Sequence, residues 1–111
     1  MIDFKRTTEN GFYTYIIEYV DENINPGMVT LFHNQWNFSE IVSTLIRTKY
    51  SQNAVEAIIN NHFLNIAEWL DKKFKGEVID FKDPEYDELQ EWRKICKQWA
   101  KEALEKYPPI D

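Results

Sequence analysis

The stretch Ser51–Gly76, SQNAVEAIINNHFLNIAEWLDKKFKG, constrains this chain more than any other. Val55, Ile58, Ile59, His62 (for its ring), Phe63, Ile66, Trp69, Leu70 and Phe74 recur at steps of three and four. That is the period of an α-helix with an apolar side. Gln52, Asn53, Glu56, Asn60, Asn61, Asn65, Glu68, Asp71 and Lys72 take the opposite side. Ser51 suits the N-cap, because its hydroxyl can accept from an orphan backbone N–H. Gly76 suits the position after the last turn, where a left-handed backbone costs glycine nothing. Lys72, Lys73 and Lys75 crowd the C-terminal end, which the helix dipole makes favourable for cations. Roughly 24 residues at 1.5 Å each give a helix of about 36 Å. The expectation is that the other elements pack around it, covering its apolar side from end to end.

With 111 residues the chain has room for one domain and for a core that needs no covalent staples. We read residues 1–111 as that domain, strand-rich over 1–33, helical over 38–106, with a tail over 107–111. A hydrophobic content of 43% excludes disorder by composition. The net charge of −6 disfavours a nucleic-acid backbone or an anionic membrane as partner, since both reward a basic footprint. Three glycines leave little material for a phosphate-cradling loop. The lone cysteine, Cys96, excludes an internal disulfide and points to the cytoplasm. The start, MIDFKRTTEN, lacks the apolar run of a secretory leader, and no run is long enough to span a bilayer.

Met1–Thr8 alternates loosely, and Asn10-Gly11 follows. That pair is a strong hairpin signal, because a type I′ turn needs positive φ at both central residues. Phe12–Val20 then gathers aromatic and β-branched residues, as a strand would. Phe12, Ile16 and Val20 share one face of it with Thr14 and Glu18, and Tyr13, Tyr15, Ile17 and Tyr19 share the other. The same residues would also fit one face of a helix. We prefer the hairpin, because these residue types are weaker helix formers. Asp21–Gly27 reads as a loop, with Pro26-Gly27 favouring a type II turn. Met28–His33 is a third strand candidate. Asn37 and Glu40 have capping-box spacing ahead of a helix over Phe38–Tyr50. Glu77–Lys82 is a fourth strand candidate. Asp83 and Pro84 mark a last helix as N-cap and first residue, and Pro108-Pro109 stops it. Along it Leu89, Trp92, Cys96, Trp99 and Ala103 step by three and four. The fold class that follows is α+β: short N-terminal antiparallel strands, a hairpin or three-stranded meander, packed on three C-terminal helices.

No motif of recognisable chemistry is present. His33 and His62 could serve a small hydrolase or metal-dependent enzyme only if folding brought them together with carboxylates. No H-x₃-H, H-E-x-x-H or C-x-x-C spacing supports that reading. Cys96, mid-stripe between two tryptophans, reads as a small buried hydrophobe rather than a nucleophile. The short junction at Tyr50-Ser51 resembles a helix-turn-helix, but the surrounding charge is poor for phosphate contacts. We therefore expect no cofactor and no metal. Four Trp, six Tyr and seven Phe are more aromatic rings than a domain of this length hides easily. Some should lie at an interface. The expected function is that of a small acidic, non-enzymatic binding or accessory protein, contacting another protein or a second copy of itself. The expected anchors are Trp92 and Trp99, shouldered by Glu85, Asp87, Glu88 and Glu91. An alternative is an acidic inhibitor or immunity-type protein that masks a basic nucleic-acid-binding surface. Size, low glycine content and absent motifs would suit an accessory protein of a phage or mobile element.

Overall fold

The computed structural model describes residues 2–21 and 24–109. The chain runs β1 (Ile2–Glu9), β2 (Phe12–Asp21), β3 (Ile24–Phe32), a 3₁₀ turn (His33–Gln35), α1 (Phe38–Arg47), α2 (Gln52–Phe74) and α3 (Pro84–Lys106). It is an α+β fold: a three-stranded antiparallel meander in the order β1-β2-β3, followed by three helices. The expected tail at Ile110-Asp111 and the loop tip Glu22-Asn23 lie outside the described residues.

Asn10 and Gly11 close the first hairpin with φ of 52° and 82°, the two positive values a type I′ turn demands. The register follows from them, pairing Glu9 with Phe12 and Ile2 with Tyr19. Phe12–Val20 is therefore strand, not helix. Its period of two sends Tyr15, Ile17 and Tyr19 into the core and leaves Phe12 and Val20 in solvent.

β3 starts earlier than its sequence suggests. Pro26 and Gly27 lie within the strand rather than in a type II turn. Proline is tolerated there because β3 is an edge strand, with one side of its ladder unpaired. Gly27 is needed because it pairs with Tyr19, whose ring lies where a Cβ would go. Tyr19 then reaches the end of α1, donating to Thr48 Oγ1 at 2.7 Å.

The helix caps are those the sequence announces. Asn37 accepts from the Glu40 N–H at 2.9 Å, and Ser51 accepts from the Ala54 N–H at 3.1 Å. After α2, Gly76 has φ of 86°, its N–H reaches the Lys73 carbonyl, and the Glu77 N–H reaches the Lys72 carbonyl. This is a Schellman ending, which satisfies two otherwise orphaned carbonyls. α1 stops at Arg47 rather than Tyr50, where Thr48 turns its hydroxyl back to the Leu45 carbonyl at 2.7 Å.

The core lies between the sheet and two helices. Phe4, Tyr15, Ile17, Tyr19, Val29 and Leu31 meet Ile41, Val42, Leu45 and Ile46 of α1. Leu89, Trp92, Cys96, Ala100 and Ala103 of α3 complete it. α2 buries only Val55 and Ile58. The expectation that the chain packs around α2 is thus corrected: α3 takes the central place. Its buried stripe is one residue wide and ends in two alanines, so it fits closely against α1 and the sheet. Trp36 ties the C-terminal end down, stacking on Tyr15 at 3.9 Å and donating to the Tyr107 carbonyl at 2.7 Å.

The fourth strand expected at Glu77–Lys82 is not formed. The segment joins no ladder; Trp69 of α2 donates to the Ile79 carbonyl at 2.6 Å and holds it along the helix. The second half of α2 projects from the core. The radius of gyration is 18.4 Å and the extents are 65 × 29 × 22 Å. A compact chain of this length would have a radius near 13 Å.

Candidate functional site

The two histidines sit in different places. His33, in the 3₁₀ turn, stacks on Phe12 at 4.8 Å beside Glu9, Asn10 and Tyr13 at the hairpin end of the sheet. His62, on α2, stacks on Tyr86 of α3 at 3.5 Å and meets the edge of Phe81. No residue named around one histidine is a neighbour of the other, so the structure does not assemble them into one site.

His62 has a carboxylate beside it. Its Nδ1 lies 2.8 Å from Asp83 Oδ2. The same oxygen accepts from Asn65 at 3.2 Å, and Oδ1 accepts from the Tyr86 N–H at 3.3 Å. The His62 bond, with help from Asn65 and Tyr86, holds the Asp83 carboxyl below its ordinary value of 3.8, against the opposing pull of desolvation. Asp83 is thus the N-cap of α3 and a bolt to α2 at once. Among the described residues no group of three His, Cys, Asp or Glu side chains could hold a metal ion.

The expected anchors divide. Trp92 is 2% exposed, in the core, and packs edge-on against Trp99 at 5.7 Å. Trp99 is half-buried against Tyr19 at 5.0 Å. Trp92 therefore packs within the protein, and the tryptophan seam faces Tyr19 of the sheet. A stripe that packs inward and one that waits for a partner have the same spacing, which is why the sequence did not separate them. Glu85, Asp87, Glu88 and Glu91 are exposed on the first turns of α3, with Glu88 paired to Lys49 at 3.1 Å. Cys96 is fully buried, and desolvation pushes its thiol up to about 12. At the α1–α2 junction Arg47 is bonded to Gln52, and Gln52 to Glu56, so the groups that base reading would need are tied to one another.

The surface the sequence reading missed lies on α2. Its apolar side is too wide for one neighbour and splits in two. Val55 and Ile58 enter the core, and His62 and Trp69 turn toward the start of α3 and the segment before it. Ile59, Phe63, Ile66, Leu70 and Phe74, at steps of four, three, four and four, form a second stripe on the adjoining face. Phe63, Leu70 and Phe74 of this stripe are 64%, 41% and 89% exposed. The available signal was width: ten large apolar or aromatic positions over so few turns, Leu64 among them, exceed one helix-packing stripe.

At its N-terminal end this stripe enters a groove of about 430 Å³ between α1 and α2. Phe38, Val42, Ile46, Val55 and Ile59 give the groove an apolar lining, and Arg47, Glu56 and Arg93 give it charge. The arrangement is concave and apolar at one end and a projecting apolar ridge at the other. It has the chemistry of recognition by burial.

No protein-family model, curated protein or solved structure matches this chain. Among the described residues no helix is long and apolar enough to cross a membrane.

Proposed function

We propose that this chain is a small acidic binding or accessory protein that acts through protein–protein contacts and not by catalysis. The observation that carries the reading is the outer stripe of α2, with Phe63, Leu70 and Phe74 held out from the core on a rigid helix. Exposed apolar side chains contiguous over several turns mark interaction surfaces. The histidine chemistry fits the same reading, because the carboxylate beside His62 is spent on capping and bolting α3.

The test compares the protein with two variants, Phe63→Ser/Leu70→Ser and Glu85→Lys/Asp87→Lys/Glu91→Lys, in affinity capture and chemical cross-linking. Circular dichroism first checks that each is folded. Association should be lost in the first variant and insensitive to salt. If neither variant alters any association of the folded protein, the reading fails. The exposed acids at the start of α3 favour one second reading, an acidic inhibitor that covers a basic surface. That reading predicts loss in the lysine variant and binding that weakens steeply with salt.

A further inference from the structure

We propose that two copies of this chain pair antiparallel through α2, each placing Phe74 in the groove beside Ile59 of the other. The inference rests on the protein-binding reading and supplies its partner: a second copy.

The stripe Ile59-Phe63-Ile66-Leu70-Phe74 has the spacing of a helix-pairing seam. It runs about 22 Å at 1.5 Å per residue. No charged residue falls on that narrow face between Ile59 and Leu70, so the middle of the seam buries no charge although each molecule carries a net −6.

A two-fold axis between Ile66 and Ala67 makes the seam self-complementary. Phe63 then faces Leu70 of the second copy, and Ile59 faces its Phe74. Phe74 is the most exposed ring of the stripe, and Ile59 is the stripe residue that lines the groove. The knob and the hole therefore stand at the two ends of one seam, in the register an antiparallel pair requires.

The positions of knob and hole also select the direction. Parallel pairing would instead set Phe74 against its own copy and leave the groove beside Ile59 without it.

The area suffices. Phe38, Phe63 and Phe74 are 42%, 64% and 89% exposed. At roughly 200 Å² each, these three rings leave about 400 Å² open. That is half of the roughly 800 Å² each partner buries in a stable interface. Leu70, Ile59 and Ile66 add to it.

The experiment is light scattering after size exclusion over a wide concentration range, at low and high salt. The expected mass is twice 13.4 kDa, unchanged by salt. Phe74→Ser should halve it while leaving the far-ultraviolet circular dichroism unchanged, because that side chain touches little of its own chain. Register is read by mixing two single variants, Ile59→Cys and Phe74→Cys, with a short bismaleimide; buried Cys96 does not compete. The mixture should cross-link and each variant alone should not. A protein that is monomeric at every concentration overturns the pairing, and so does a dimer that survives Phe74→Ser. Cross-linking of either variant with itself overturns the register. A monomer that still binds another protein through Phe63 and Leu70 removes the pairing and leaves the binding reading standing. A monomer whose α2 variants change no association removes both.

Discussion

Asp83 does two jobs with two oxygens, and the pH dependence of the fold should show it. One oxygen caps α3 through the Tyr86 N–H; the other takes His62 and Asn65 from α2. All three donors favour the ionised form, so the folded carboxyl titrates below its ordinary 3.8. A group whose pKa is lowered by folding contributes stability above its unfolded value and loses it as pH falls through the folded one. Asp83→Asn keeps an acceptor at the cap but removes the charge. The melting temperature of the variant should lie below that of the parent at neutral pH, and the gap should close as pH falls below about 4. A constant gap across an acid titration would show that the charge of Asp83 does not stabilise the fold. Cys96 makes the opposite case. Burial raises its thiol to about 12, so at mildly alkaline pH it is protonated and enclosed. A thiol reagent should label it only after denaturant is added, and the labelling rate should follow global unfolding. Rapid labelling of the native protein would mean that α3 opens without the rest.

At the level of elements, the sequence was legible wherever one residue type satisfies a local backbone need. Asn10-Gly11, the caps Asn37, Ser51 and Asp83, and the glycine ending at Gly76 all act within a few residues of themselves, and all formed as read. It was misread where the deciding partner is distant. Pro26-Gly27 looks like a turn until Tyr19, eight residues earlier in the chain, is seen to lie over Gly27. Glu77–Lys82 looks like a strand but has no ladder to join and runs along α2 instead. Trp92 is buried and the outer α2 stripe exposed for the same reason. Helical spacing reports that a face is apolar, and only packing decides whether the protein's own sheet or another molecule covers it. The Gly27 reading has a direct check. Gly27→Ala places a methyl group in the Tyr19 ring and should cost about 1–3 kcal/mol in denaturant unfolding, the usual penalty for overpacking. Adding Tyr19→Leu should make the pair less damaging than the sum of the two single changes, a coupling of at least about 0.5 kcal/mol. Strict additivity would mean that the glycine is required by its backbone alone.

Taken whole, the molecule is a packed head with an arm. The head contains the sheet, α1 and most of α3. The arm is the second half of α2, steadied by Trp69 and the segment that returns from Gly76 to Asp83. Such a division should appear in how the backbone opens. Amides in α3 between Trp92 and Ala103 sit behind fully buried side chains, so their exchange with solvent requires the head to unfold. Amides between Ala67 and Phe74 have helical hydrogen bonds but little side-chain cover, so they should exchange through local fraying. The expected difference at high dilution is at least roughly a hundredfold in rate, since local opening costs far less than global unfolding. Raising the protein concentration should slow exchange in the arm and leave α3 unchanged, because pairing covers Phe63, Leu70 and Phe74 and adds nothing to the interior of the head. The sense of that change is informative. Protection that rises with concentration in the outer strands would place the contact on the sheet face, where Phe12, Met28 and Phe32 are also exposed. Uniform protection of arm and head at high dilution would show that the two unfold together, and the arm would then owe its stability to the bolt at Asp83 and not to a partner.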